Sequence, residues 1–343
     1  MKRTLPIIGV ILMAGGFLLL GTLLWSNWNP PNAPYSYVMV SEGKTAKFPE
    51  LGLKDHPDLN IQKYEIRVPE IDKPIVDFHV ALKDGAKPVL LDWHNHTTDP
   101  VVTTDSKASE SETLAKAIAK YASPDALILG WWDTSRRVRL LSGKKVLFDE
   151  YLAKPVLVPE MWNSRKHSIE ALERSFWKVS DAGKTAASFD AFIDAMLSDE
   201  VIGTAMLRQL GGGREVIVVV HLSDAFKIGA LEPDRLSIGY KDFGSSTQLH
   251  GIVRHIKKWV KENGHKAYTV LPIGDKGRRV YFLSDTRSTE TLIARMLPFT
   301  TSNPVAMDGL RIVYQHGGYW VYKLPASNVK AQLDEAQSAQ PAK

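Results

Sequence analysis

The sequence predicts an α/β protein: a single N-terminal transmembrane helix, then one extracytoplasmic domain in which a mixed sheet is covered by helices. Three observations predict it. An uncharged run from Leu5 to Trp25 follows two basic residues, Lys2 and Arg3. Short apolar, β-branched runs then alternate with segments of helical periodicity, the pattern of a sheet layered with helices. Finally, "LRIVYQHGGYWVYKL" reads as a hairpin turning at Gly317 and Gly318, residues suited to a tight two-residue turn.

The run from Leu5 to Trp25 is long enough to cross a bilayer, which takes roughly 20 apolar residues. It exceeds the roughly 7–15 residues of a signal-peptide core, and no A-x-A site follows it. Trp25 and Trp28 suit the membrane interface, and Lys2 with Arg3 put residues 1–4 on the cytoplasmic side. The Pro-rich segment 26–35 reads as an extended tether. Residues 36–325 form the expected domain, in the periplasm of a bacterial cell, and the Ala/Gln-rich residues 326–343 a flexible tail. The chain is expected to be a single-pass protein of the bacterial inner membrane.

Within the body, "IQKYEIRVPE" and "IVDFHVAL" read as early strands, and "KPVLLDWHNH" as a buried strand with a polar end. "SESETLAKAIAKYA" reads as a helix with a capping box at Ser109 and Glu112. "DALILGWW" is the next buried strand, and "KPVLVPE" another. "SIEALERSFWKV" is helical, and "SFDAFIDAMLSDEVIGTAMLRQL" is one helix or a broken pair. "REVIVVVHLSDAFKIG" is a strand entering a helix at Ser223 or Asp224. In "TQLHGIVRHIKKWVKENG" the residues Leu249, Ile252, Val253, Ile256, Trp259 and Val260 make one apolar stripe, and Gly264 suits the C-terminal stop. "KAYTVLPI", "RRVYFLS" and helical "STETLIARML" precede the hairpin.

Composition excludes several functions. The formal charge is +5, from 43 basic and 38 acidic residues, too mild and too dispersed for a nucleic-acid face. Cysteine is absent, which excludes disulfides, thiolate metal sites and thioether-linked c-type haem. No P-loop, HExxH helix or GxSxG elbow occurs. "RQLGGGREV" precedes a strand, whereas a phosphate loop must open a helix. The cations Arg254, Lys257, Lys258 and Lys261 read as a solvated helix face, or as a docking patch for an acidic partner or anionic lipid.

Two stretches could carry chemistry. In "LLDWHNHTTD", His94 and His96 are two apart and share one face of an extended strand with Asp92. Such a pair can hold zinc or iron if another strand adds a ligand, and His221 is the best remote candidate. Histidines capping a polar strand end are the plainer reading. In "ILGWWDTSRRVRLLSG", Trp131 and Trp132 point to opposite faces if the strand continues. Either Trp131 packs inward and Asp133 caps a turn, or the strand ends at Gly130. In the second case Trp131, Trp132 and Asp133 line a cleft, with Thr134, Ser135 and Arg136 beside it, at the carboxyl end of a strand where ligands of α/β proteins bind. If the strands of "DWHNH" and "WWD" are parallel neighbours, their polar ends make one cleft.

"ILGWWDTSRR" resembles the WWD segment in the extracytoplasmic domain of oligosaccharyltransferase catalytic subunits, and the terminal hairpin is similar to theirs. The likeness departs after Asp133, where Thr134 stands in place of an aromatic. That family also needs a multi-span membrane portion for catalysis, so the resemblance implies an α/β fold and not glycosyl transfer. As a whole, with its anchor, its length and its "DWHNHTTD" and "WWDTSRR" segments, the chain resembles the HaoB-type hydroxylamine oxidation proteins of ammonia- and methane-oxidising bacteria. The resemblance implies a membrane-anchored accessory to periplasmic nitrogen oxidation, partnered with multi-haem hydroxylamine oxidoreductase, and it assigns no catalytic residue. Three readings stay open: a non-catalytic accessory protein, a metalloenzyme built on the HxH pair, and a peptide or glycan binder at the WWD segment.

Overall fold

The computed structural model describes residues 13–17, 20–21, 32–82, 87–179, 183–244, 249–273 and 277–326. The expected anchor at 5–25, its flanks and the expected tail at 326–343 lie almost wholly outside them. Among the described residues no helix is long and apolar enough to cross a membrane.

The body is α/β, but three sheets replace the single mixed sheet expected. The first is an antiparallel meander of β1 (Ser36–Lys44), β2 (Asn60–Arg67), β3 (Val76–Leu82) and β4 (Val89–Asn95). The second has the order β10-β11-β6-β5, with β5 (Leu127–Gly130) parallel to β6 (Val216–His221) and the hairpin β10 (Arg311–His316) and β11 (Tyr319–Leu324) added antiparallel. The third is antiparallel, β7 (Ile238–Phe243), β9 (Gly277–Leu283) and β8 (Ala267–Ile273). Strands β4 and β5 therefore belong to different sheets. The parallel neighbour of β5 is β6, because the crossover between them carries four helices while β4 is held by its hairpin to β3.

Those four helices are α2 (Trp132–Ser142), α3 (Lys166–Phe176), α4 (Gly183–Leu197) and α5 (Glu200–Gly211); α1 (Ala108–Tyr121) precedes them. After β6 come α6 (Leu222–Leu231), α7 (Leu249–Glu262), α8 (Thr286–Thr289) and α9 (Leu292–Met296). The break between α4 and α5 has a local cause: Asp199 accepts from the Ile202 N–H at 2.9 Å and starts a new helix. The capping box expected at Ser109 and Glu112 is absent, since α1 begins two residues early behind Lys107 and Glu112 turns to His56 and Lys116. "KPVLVPE" makes only a bridge between Leu157 and Val102. "STETLIARML" divides into α8 and α9, each with its own side-chain cap.

The continuous apolar run of β6 is explained by burial on both faces. Val216, Val218 and Val220 enter the main core with Phe78, Trp93, Trp177 and Phe192. Ile217 and Val219 pack on the other side with Leu114, Ile118 and Val138 of α1 and α2. The α7 stripe docks Ile252, Ile256 and Val260 on Phe243 and Val280 of the third sheet. Burying such side chains stabilises by about 1.5–3 kcal/mol each, so this face fixes how α7 docks on the sheet.

Candidate functional site

The parallel pair β5 and β6 sets the site. Each strand runs directly into a helix at its carboxyl end, β5 into α2 and β6 into α6. The two helix starts therefore lie side by side, the place where α/β proteins gather polar groups.

The WWD segment is not a loop. Trp131 is the residue preceding α2, and Trp132 through Arg136 form its first turns. All of them turn inward. Trp131 and Trp132 are buried, at 1% and 6% exposure. The Trp132 indole N–H donates to the Lys154 carbonyl at 2.7 Å, and its ring meets Tyr151 edge-on at 4.5 Å. The Ser135 hydroxyl donates to the Gly130 carbonyl at 3.3 Å, and Arg136 donates to the Pro88 carbonyl at 2.8 Å. The cavity touching Trp131, Trp132 and Asp133 is about 10 Å³, room for about one water. The open aromatic cleft expected here is thus replaced by packing and hydrogen bonds to the chain's own backbone.

Beside it is a buried, charge-balanced group. Arg137 lies 3.4 Å from Asp133, one helical turn away, and donates to Thr134 Oγ1 at 3.1 Å. Lys227 lies 2.8 Å from Asp224 on α6, with its ammonium 4.8 Å from the centroid of the Trp131 ring. Burial opposes ionisation of Asp133, but Arg137 and Lys227 override it and hold the carboxyl below its usual range. Burial likewise opposes the charge of Lys227, and Asp133 and Asp224 raise it above the ordinary lysine value. Two anions and two cations, each unaffordable alone, neutralise one another.

His221 links this group to the surface. It caps α6: its Nδ1 accepts from the Ser223 N–H at 3.1 Å and faces the Ser223 hydroxyl at 2.8 Å, while Asp224 accepts from the His221 N–H at 2.8 Å. With Nδ1 accepting, the ring proton sits on Nε2, which donates to the Gly317 carbonyl at 3.2 Å. The β10–β11 turn needs glycine here. Gly318 has φ +83°, and a Cβ on it would collide with His221 Nε2. The Ser–His contact resembles part of a nucleophilic dyad but lacks its working parts. Ser223 is 3% exposed, among the described residues no carboxylate bonds to the imidazole, and burial lowers the His221 ring to about 4, too weak a base at neutral pH.

The proposed metal ligands are not brought together. Asp92 accepts from the His79 backbone N–H at 2.8 Å and faces its ring. His96 pairs with Asp77 at 2.8 Å. His94 stacks edge-on against His96, with ring centroids 4.7 Å apart, and His221 is committed to its cap. Among the described residues no group of three or more His, Cys, Asp or Glu is placed to hold a metal ion.

The open space lies next door. A groove of about 570 Å³ runs where the three sheets meet, lined by Asp92, Trp93 and His94 of β4, His221 of β6, Gly317 and Gly318 of the hairpin, and Leu271 to Ile273 of β8. Asp105 and Ser106 complete its floor. Backbone bonds of 3.0 Å in both directions pair Trp93 with Ser106. Desolvation by the groove walls raises the Asp105 carboxyl, against the pull of the Asn95 N–H that it accepts at 2.9 Å. Sequence reasoning took Trp93 only as part of "DWHNH" and missed Asp105, Ser106 and Lys227. Only Lys227 left a signal, a lysine within the apolar helix "DAFKIGAL" three residues after Asp224.

A family model described as HaoA-associated protein HaoB matches residues 1–324. No curated protein matches the chain. Among solved structures it is similar to the crystal structure of the C. jejuni PglB C-terminal domain, at 11% identity and a TM-score of 0.36, over 62% of this chain and 98% of that one. With the family model spanning nearly its whole length, the chain belongs to the HaoB family.

Proposed function

We propose that this HaoB-family protein is a non-catalytic accessory of hydroxylamine oxidation, anchored in the inner membrane by residues 5–25, whose periplasmic domain binds or tethers the multi-haem hydroxylamine oxidoreductase. The single observation that carries this reading is the match of residues 1–324 to a family described as HaoA-associated. The anchor is supported by the uncharged run after Lys2 and Arg3. A non-catalytic role is supported by the way the reactive-looking residues are used. Asp133 and Asp224 are neutralised by buried cations, Ser223 and His221 form a helix cap, and among the described residues the HxH pair is joined by no further ligand. Without cysteine, the chain carries no thioether-linked haem of its own, so any haem belongs to the partner or is held by histidine alone. Affinity isolation of the full chain from gently solubilised membranes tests this: a haem-staining protein is expected in the eluate, and recovery of the free chain alone overturns the reading.

A further inference from the structure

The groove at the meeting of the three sheets has the chemistry of a ligand site independent of any partner protein. Its volume of about 570 Å³ falls within the roughly 300–1,000 Å³ of small-ligand pockets. Two of the residues that line it carry a buried polar atom with no partner among the described residues. The indole Nε1 of Trp93, on a side chain 1% exposed, and the hydroxyl of Ser106 have no hydrogen-bond partner among the described residues. Because Trp93 and Ser106 are backbone-paired across neighbouring segments, their side chains lie side by side. A buried N–H without an acceptor costs about 1–3 kcal/mol, and a ligand oxygen would recover it.

The charges select the rest of the ligand. Among the described residues, Glu50, Asp92, Asp105 and Glu110 line the groove against one lysine, Lys107, which lies 3.6 Å from Glu110. Asp92 is engaged with His79, and His221 is neutral. Asp105 uses one oxygen on the Asn95 N–H, and among the described residues no cation forms an ion pair with it; His94, Arg279 and His96 act on it only through their charge. The groove thus offers a carboxyl without a direct ion-pair partner among the described residues, beside an unsatisfied donor, with Leu51, Leu271 and Ile273 as apolar wall.

We propose that this groove binds a protonated primary amine that carries a carbonyl or hydroxyl oxygen close by on an apolar body, the chemistry of an α-amino amide, supplied as a free small molecule or as the N-terminus of a peptide. Asp105 receives the ammonium, Trp93 Nε1 and Ser106 Oγ receive the oxygen, and the wall of Leu271 and Ile273 receives the apolar body.

Isothermal titration of the full chain in detergent with L-leucinamide tests this. Saturable one-to-one binding is expected. Isoamylamine, which lacks the oxygen, and N-acetyl-leucinamide, which lacks the cation, should each bind at least about tenfold more weakly. Asp105→Asn should weaken leucinamide at least about tenfold, and Ser106→Ala more modestly. Trp93→Phe serves as a further variant if its circular dichroism matches wild type. Tighter binding of Leu-Gly-Gly amide assigns the site to a peptide terminus; equal binding assigns it to a free amine. Absence of saturable binding, or affinity unchanged in Asp105→Asn with Ser106→Ala, overturns the proposal. Neither outcome bears on binding of the oxidoreductase, which is measured separately.

Discussion

Lys227 holds its ammonium 4.8 Å from the centroid of the Trp131 ring while pairing with Asp224 at 2.8 Å. One side chain thereby joins the β5–α2 junction to the β6–α6 junction, and Asp133 and Arg137 complete the balance of charge. Removing one partner of such a group leaves an uncompensated buried charge, at a cost of about 3–5 kcal/mol. Lys227→Met is therefore expected to lower unfolding free energy by that amount in urea titrations. Lys227→Met with Asp224→Asn should recover at least about 1 kcal/mol of it, as a coupled pair does.

His221 makes the fold acid-sensitive. Burial lowers its ring from 6.5 to about 4. The folded state thus binds a proton less readily than the unfolded chain, and stability falls as pH drops from about 6.5 toward about 4. The loss is on the order of 2 kcal/mol at 1.36 kcal/mol per pH unit, discounted for the partial exposure of the ring. His221→Asn keeps a side-chain acceptor for the helix cap and removes the titration. Stability measured across this window should be flatter in the variant than in wild type.

Glu173 is fully buried, with no cation paired to it among the described residues. Its carboxylate accepts from Tyr35 at 2.6 Å, Tyr37 at 2.5 Å and the Trp177 indole at 2.9 Å. Burial raises its carboxyl above 4.5 although these three donors oppose the shift. Stability therefore declines as pH rises above 4.5 through the raised value, the reverse of an ion-paired acid. Glu173→Leu orphans three donors and should cost about 3 kcal/mol or more. Glu173→Gln should fall within about 1 kcal/mol of wild type at pH 7, and gain on it as pH rises.

The HxH pair should prove dispensable for stability. His96 and Asp77 are both partly exposed, and such a pair contributes about 0–1 kcal/mol. His94→Ala with His96→Ala is expected to unfold within about 1 kcal/mol of wild type and to leave the zinc and iron content of the purified chain unchanged. A stoichiometric metal lost in the double variant would restore the metalloenzyme reading.

Much of the fold was legible because its signals are local. The β-branched run of β6 and the double glycine of the last hairpin survive in the structure as read, and so does the periodicity of α7 except at Val253, which is exposed. The strands Ser36–Lys44 and Ile238–Phe243 escaped because their residues are mostly exposed or half-buried, so no apolar run marks them. The WWD segment misled for a related reason: its polar residues looked like a surface, yet Asp133 and Arg137 are buried through an ion pair one turn apart. Which strands are neighbours is a long-range fact. β4 and β5 have similar polar ends, and nothing local says that the parallel partner of β5 lies beyond four helices.

The central claim, association with the multi-haem oxidoreductase, is tested most directly by sedimentation velocity followed at the haem absorption band. The chain has no cysteine to carry a c-type haem, so this signal reports the partner alone. Adding the full-length chain to purified hydroxylamine oxidoreductase should shift the haem boundary to faster sedimentation, saturating at a fixed ratio. A haem boundary that stays in place at excess chain would contradict the account.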